Sequence, residues 1–290
     1  MNRRIIDRNT DEYPRLLVEI PDPPKRLYVA GMPLDQAPFM AVVGARRSTS
    51  YGREVAEWIA SDLARSGMVV VSGMATGIDA AAHAGALSMG GTTVAVLGCG
   101  LDICYPPRNA SLYQQIANEG TLVSEYGPGT RPMPYHFPAR NRIIAGMCLG
   151  IVVVEGRTNG GAMITARLAM EFGREVFAVP GPVQSPLSCG PHSLIRDGAT
   201  MVTSAADILE DVGFLQLNSQ VEGPSLNADE TRTMKAVATE PLLLDQVASR
   251  LEMPIPSALA VLSRLELKGL VVHHSDGRFG RALAGENTLV

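Results

Sequence analysis

The chain of 290 residues is 46% hydrophobic and carries a formal net charge of −4, which suffices for one large α/β domain with a small satellite, or for two medium domains. No run approaches the roughly 20 apolar residues of a membrane span, and Asp7 interrupts the N-terminus before any signal-like apolar segment, so a soluble, cytoplasmic protein with no membrane partner is expected. The mild acidity excludes a surface that attracts polyanions as a whole, and any nucleic-acid site must be a local patch.

Residues 1–38 hold seven prolines and glycines and are expected to form an extended lead-in with little regular structure. From Phe39 onward, β-branched runs alternate with helical stretches. The runs are Ala41-Val42-Val43, Met68-Val69-Val70-Val71, Thr93-Val94-Ala95-Val96-Leu97, Thr121-Leu122-Val123, Ile151-Val152-Val153-Val154 and Val176-Phe177-Ala178-Val179. Near-continuous apolar strands belong to a sheet buried on both faces. Helices are predicted between and after them at 52–66, 76–90, 110–119, 138–147, 161–173 and 190–197. Right-handed crossovers wind such a pattern into a doubly wound, mostly parallel α/β domain, placed at 39–212.

Residues 213–227 lack periodicity and suit a linker. Over 228–290 the pattern predicts helices at 228–238, 243–251 and 255–268, then a hairpin around Ser275-Asp276-Gly277, which is the signature of a small winged-helix-like domain. This tail has seven Lys/Arg against eight Asp/Glu, which disfavours groove binding and leaves a protein-contact or structural role open. The four cysteines, Cys99, Cys104, Cys148 and Cys189, lack paired C-x-x-C spacing and read as reduced thiols. Neither a metal nor a cofactor is expected.

Four turns could carry chemistry. At the first, strand residues Val42 and Val43 run into Gly44-Ala45-Arg46-Arg47-Ser48-Thr49-Ser50-Tyr51-Gly52, where amides and hydroxyls at a helix start suit a phosphate. The spacing is neither G-x-G-x-x-G nor a P-loop. Ser48 or Ser50 could simply cap the helix, but the adjacent Arg46 and Arg47 favour an anion. The second turn, Ser72-Gly73-Met74-Ala75-Thr76-Gly77, repeats the arrangement at the same sheet edge. Asp79 and His83 follow at a spacing that permits a pair and are taken as local structure holding this turn.

The third element runs from Arg131 through Phe137 to Arg140, Asn141 and Arg142. Its interleaved arginines and aromatics suit a single strand, whose bases stack while its phosphates pair with guanidinium groups. Phe137 alone could equally be a hydrophobic staple. The fourth, Glu155-Gly156-Arg157-Thr158-Asn159-Gly160-Gly161, lets a ligand approach the backbone at the paired glycines. Glu155 has no visible acid, metal or nucleophile beside it and is read as structural. Four such turns on one edge predict an extended groove for single-stranded DNA and no catalytic residue.

At these residues the chain resembles the DNA-processing protein A family (DprA, also called Smf) of bacterial natural transformation. The resemblance rests on Val43-Gly44-Ala45-Arg46 with Ser50-Tyr51-Gly52, on residues 72–79 with Ala82-His83, on residues 96–102 with Tyr105-Pro106, and on Ser124-Glu125. It continues through residues 137–146, Val154-Glu155, Gly160-Gly161-Ala162, Thr165-Ala166 and Pro180-Gly181. It implies an extended Rossmann-like fold that binds single-stranded DNA as a homodimer, protects incoming strands and helps load a RecA-type recombinase, without catalysis. It further implies that Arg46, Ser48, Ser72 and Gly73 contact phosphates, that Phe137 stacks on a base, that Arg140 and Arg142 line the same groove, and that Asn141 braces the turn.

Two departures from the family stand out. No helical N-terminal module is expected before the lead-in. Where some relatives have a basic residue shortly before the phenylalanine, this chain has Pro134-Tyr135-His136, so either Arg131 compensates or the site is weaker. The competing readings are an enzyme like the nucleoside-monophosphate phosphoribohydrolases, whose P-G-G-x-G-T-x-x-E turn lacks its closing glutamate here, and a transcription regulator acting through the winged helix, against which the acidic tail counts.

Overall fold

The computed structural model describes residues 3–34, 38–214, 227–237, 241–268, 270–273 and 277–281. The chain divides into two units, Met1–Gln216 and Leu217–Val290.

All six expected strands of the first unit are present: β3 (Phe39–Val43), β4 (Val69–Ser72), β5 (Thr93–Leu97), β6 (Thr121–Ser124), β7 (Gly150–Val153) and β8 (Glu175–Ala178). They pair in parallel within a nine-stranded sheet of order β1-β2-β6-β5-β4-β3-β7-β8-β9, whose remaining strands are β1 (Arg3–Asp7), β2 (Arg26–Gly31) and β9 (Thr200–Met201). Side chains alternate between faces with period two, so β3 sends Ala41 and Val43 into one core and Met40 and Val42 into the other. The first core is completed by α5 (His136–Met147) and α6 (Gly161–Glu171), and the second by α2 (Ser50–Arg65), α3 (Ile78–Ser88) and α8 (Ala205–Asp211). A further cluster lies under α4 (Ala110–Glu119). Burial on both faces is why these strands read as unbroken apolar runs.

The lead-in departs from expectation. Rather than lacking regular structure, its described part forms β1, a short helix α1 (Arg15–Val18) and β2, and β2 pairs antiparallel with β6 from Tyr28 opposite Ser124 to Gly31 opposite Thr121. Leu27, Val29 and Ala30 are fully buried. Pro14, Pro23 and Pro24 fall outside the strands and helix, so they punctuate the elements without preventing them. The Tyr13 hydroxyl donates to the Pro24 carbonyl at 2.8 Å and closes the segment, while Leu17 and Ile20 pack into the same core as Ile143 and Met147 of α5.

In the second unit, helices Ala228–Val237, Leu244–Arg250 and Ile255–Leu267 meet a three-stranded antiparallel sheet of β10 (Leu242–Leu243), β11 (Val271–His273) and β12 (Arg278–Arg281), ordered β10-β12-β11. Ala258, Val261, Leu262 and Leu265 form the buried stripe of the third helix. This is a winged-helix arrangement, to which β10 adds a strand that two residues were too few to announce. Ser275 and Asp276 of the expected hairpin turn lie outside the described residues. So does most of the expected linker, although Phe214 within it is buried in the core of the first unit. Among the described residues no helix is long and apolar enough to cross a membrane.

Candidate nucleic-acid interface

In the sheet order, β3 lies between β4 and β7, so chain direction across the sheet reverses there. Such a switch point opens a crevice at the C-terminal strand ends. The crevice here is a groove of about 1060 Å³. It gathers Gly44, Arg46, Arg47, Phe137, Arg140, Asn141, Gly160 and Gly161 from the sequence prediction, while Gly73 lines an adjoining pocket of about 160 Å³. Ser48, Ser50, Ser72, Arg131 and Arg142 line neither.

The first turn is built differently from the expectation of a phosphate on the amides of α2. Its N-cap is Thr49, not Ser48 or Ser50, and the Thr49 hydroxyl accepts the Gly52 N–H at 3.0 Å. That hydroxyl donates to Glu155 Oε1 at 2.6 Å, and the Thr49 N–H donates to Glu155 Oε2 at 2.9 Å. The protein's own carboxylate therefore occupies the positive end of α2. Gly52 makes this possible, because a Cβ there would lie 2.3 Å from the Glu155 carboxyl carbon. Ser48 Oγ is buried without a hydrogen-bond partner among the described residues, and Ser50 is exposed in the first turn. Neither caps α2, and neither is among the residues that line the groove. Arg46 and Arg47 remain exposed on the groove wall.

Ser72 is a second correction. It is the last residue of β4, fully buried, and its hydroxyl donates to the Val42 carbonyl of β3 at 2.7 Å. Arg140 proves to be a brace beneath the groove: 4% exposed, it donates from Nη1 to the carbonyls of Gly73 (2.8 Å) and Val96, tying together the ends of β4 and β5. A side chain at Gly73 would lie 2.5 Å from Arg140 Nη2. Burial lowers the Arg140 pKa to about 10, with Asp79 opposing the shift, so the guanidinium stays charged near neutrality. Burial raises the Asp79 carboxyl while Arg140 and the Ala75 N–H pull it back. Asp79 thus holds the second turn as expected.

His83 does not join Asp79. Its Nδ1 lies 2.7 Å from Thr93 Oγ1, whose own proton goes to the Val70 carbonyl, so Nδ1 is the donor. Burial pushes this imidazole down to about 3 and keeps it neutral.

Helix phase sorts the third element. Residues 137, 140 and 141 are three and four apart and share one face of α5, whereas 140 and 142 are separated by about 200° at 3.6 residues per turn. Arg142 accordingly points away from the groove, with Nη2 on Glu125 at 2.7 Å and Nε on Asp22 of the lead-in at 3.3 Å. Arg131 is exposed but outside the groove lining. Asn141 Nδ2 donates to the Gly161 carbonyl at 3.4 Å, bracing the fourth turn. Phe137 is half-buried, with the Arg46 guanidinium 5.2 Å from its ring centroid and the Tyr105 ring at 5.3 Å.

The fourth turn supplies the open helix start that the first does not. Gly160 is the N-cap of the 11-residue α6 and contributes no side-chain hydrogen bond, and a Cβ at Gly161 would meet open space. Arg157 stands exposed beside it, and Gly156 donates to the Leu187 carbonyl at 2.7 Å, bringing Ser185, Pro186 and Leu187 in as a wall. Sequence reasoning did not select Thr49, Tyr105 or Arg157. The only signals were a third hydroxyl beside two serines, an aromatic before a proline pair, and an arginine in a glycine turn. Among the described residues no cluster of three or more His, Cys, Asp or Glu side chains could hold a metal ion.

Electrostatically, then, the groove presents Arg46, Arg47 and Arg157 at its walls, a buried cation in its floor and an uncapped helix N-terminus, while Glu155 is spent on α2. Such a site favours an anion with an aromatic or planar component.

Comparison with known proteins agrees with this architecture. The family described as DNA recombination-mediator protein A matches residues 4–213, and the DprA winged helix domain matches residues 219–277. The DNA processing protein DprA of Streptococcus pneumoniae is 47% identical over 205 residues, covering 70% of this chain and 72% of that protein. Protein Smf of Escherichia coli is 38% identical over 281 residues, covering 93% and 75%. The crystal structure of the S. pneumoniae protein superposes with a TM-score of 0.69 at 46% identity, covering 72% of this chain and 74% of that one. A structure of DNA processing protein A from Helicobacter pylori, described for its single-stranded DNA binding mode, gives a TM-score of 0.65 at 28% identity, covering 74% and 96%. With its α/β unit and its winged helix both accounted for in this way, the chain belongs to the DNA recombination-mediator protein A family.

Proposed function

We propose that this protein binds single-stranded DNA along the groove at the β3/β7 switch point, as part of processing incoming strands in natural transformation, and that it acts by binding, without a catalytic step. The observation that carries the reading is the Arg46 guanidinium set over the Phe137 ring inside a groove that ends at the uncapped start of α6. A duplex hides its bases, whereas a single strand offers phosphates and unstacked π-faces together. The phosphoribohydrolase-like alternative would need a free carboxylate at the strand ends, and both oxygens of Glu155 are engaged by Thr49.

The resemblance extends the proposal to a homodimer that delivers its bound strand to a RecA-type recombinase. The test is a titration of labelled single- and double-stranded oligonucleotides at several salt concentrations. Preference for the single strand is expected, with log affinity falling against log salt by about 0.7 per phosphate contact. Equal affinity for duplex, or no salt dependence, overturns the reading.

A further inference from the structure

The outermost strand β1 pairs with β2 on one side, and among the described residues no strand pairs with its other side. In an antiparallel ladder every second residue turns its backbone N–H and C=O toward the neighbouring strand. The Arg8 N–H donates to the Lys25 carbonyl at 3.1 Å, one step beyond the pairing of Asp7 with Arg26. This sets the phase: Arg4, Ile6 and Arg8 bond β2, while Arg3, Ile5 and Asp7 direct their backbone groups to the open edge. The same three residues share one face of the strand and are exposed, Ile5 at 54%, whereas Ile6 on the other face is buried. The open edge therefore reads basic, apolar, acidic.

Charges of one sign would blunt such an edge against pairing. Arg3 and Asp7 instead carry opposite signs at equal distances from Ile5, so the edge is complementary to itself under a two-fold axis. Antiparallel pairing centred on Ile5 sets Arg3 against Asp7 of the second copy, twice, and Ile5 against its own equivalent. A slip of two residues sets Ile5 against a charge and loses both ion pairs, and parallel pairing brings like charges together. Neither charge is firmly engaged within the chain. Arg3 forms no ion pair among the described residues, and Asp7 reaches Arg26 only at 3.9 Å. The Asp7 carbonyl is taken by the Thr10 N–H at 3.0 Å and the Thr10 hydroxyl at 2.8 Å. The ladder then consists of the Ile5 N–H on the Ile5 carbonyl and the Asp7 N–H on the Arg3 carbonyl, each made in both directions. We infer that the β1 edge is a contact surface between two copies of this chain, joined antiparallel about Ile5. A five-residue strand spans about 17 Å, which falls short of the roughly 1,000 Å² of a stable interface, so the association is weak and rises with concentration. It is independent of strand binding, because β1 lies five strands along the sheet from β3.

The experiment is sedimentation velocity over a concentration series, comparing wild type with Arg3→Asp, Asp7→Arg and the doubly swapped chain. Each single substitution sets like charges against each other and should move the midpoint of an association step upward about tenfold or more. The double swap should restore it. An equimolar mixture of the two single variants should restore it as well, because the unlike copies are complementary. A separate readout is Ile5→Cys treated with oxidised glutathione. Opposed residues of a hydrogen-bonded pair have Cα atoms about 5.5 Å apart, within disulfide reach, so this variant should form a cross-linked dimer beyond the level that the four native thiols give in wild type. Wild-type protein that stays monomeric to about 1 mM overturns the inference. So does association that both single substitutions leave unchanged, which places the contact elsewhere. A loss in the single variants that neither the swap nor the mixture recovers also overturns it, by making these charges supports of the fold.

Discussion

Gly52 sits in the first turn of α2, where replacing glycine by alanine in a helix ordinarily stabilises by about 0.5–1 kcal/mol. Here Gly52→Ala should do the opposite. The three nearest atoms to a Cβ at this position all belong to Glu155, the closest at 2.3 Å, so the carboxylate must leave its place at the helix start. It would forfeit the bonds from the Thr49 N–H and hydroxyl. Hydrogen bonds to a charged group contribute about 1.5–3 kcal/mol each, and Thr49 is exposed enough for water to replace part of that. The lower end of the range for two bonds, about 3 kcal/mol, less the propensity gain leaves a net loss of about 2 kcal/mol. In a Glu155→Ala background the clash is gone, and Gly52→Ala should instead stabilise by up to about 1 kcal/mol. The coupling in the double-mutant cycle is then about 3 kcal/mol. Urea unfolding can be followed through Trp58, which is the only tryptophan in the chain and lies within α2. An equal effect of Gly52→Ala in both backgrounds would refute the placement of Glu155.

Three further outcomes follow from the placement of individual side chains. Arg46→Ala should weaken binding to all single strands alike and reduce the salt slope by about 0.7, whereas Arg142→Ala, which unties Asp22, Glu125 and the Ala139 carbonyl, should leave affinity and slope unchanged in the same titration. Ser72→Ala should lower stability by about 1 kcal/mol, the worth of one hydrogen bond, without altering strand affinity; a loss of affinity with intact stability would return Ser72 to the phosphate contacts. His83 has a folded pKa of about 3, below the ordinary value of 6.5. The unfolded chain therefore takes up a proton that the folded one refuses, and stability is lost as pH falls below about 6.5, at up to about 1.4 kcal/mol per pH unit. Urea midpoints at pH 7, 6 and 5 should fall more steeply for wild type than for His83→Gln, and parallel lines would refute the burial of a neutral imidazole.

How much of this was legible in the sequence depended on how local the cause is. The six parallel strands were, because burial on both faces writes itself into each as a continuous apolar run. β1 and β2 were hidden, because they sit at the antiparallel end of the sheet, where β1 mixes charged and apolar residues without a continuous apolar run, and because Pro24 and Pro33 around β2 look like breakers while marking turns. Arg140 and Arg142 were grouped by density when the phase of α5 separates them, one under the groove and one on the lead-in. That error was avoidable from the 3.6-residue period alone. Ser72 was not avoidable, since a serine ending a strand and a serine opening a turn look alike until the last ladder bond is known.

The deeper limit concerns the two helix starts. Both α2 and α6 follow a strand and a glycine turn, and each by itself reads as a phosphate cradle. What separates them is that β3 and β7 are neighbours, with Val43 opposite Val153 and the Val154 N–H on the Val43 carbonyl. This brings Glu155 alongside a helix start 106 residues earlier in the chain. A carboxylate one strand away fills the N-terminus of α2, and the same turn that presents it leaves α6 uncapped. Of the two helix starts at this edge of the sheet, only that of α6 is left without a side-chain cap. Arg46 and Phe137 line the same groove as the glycines that open α6, and that shared lining is what the proposed binding of a strand rests on.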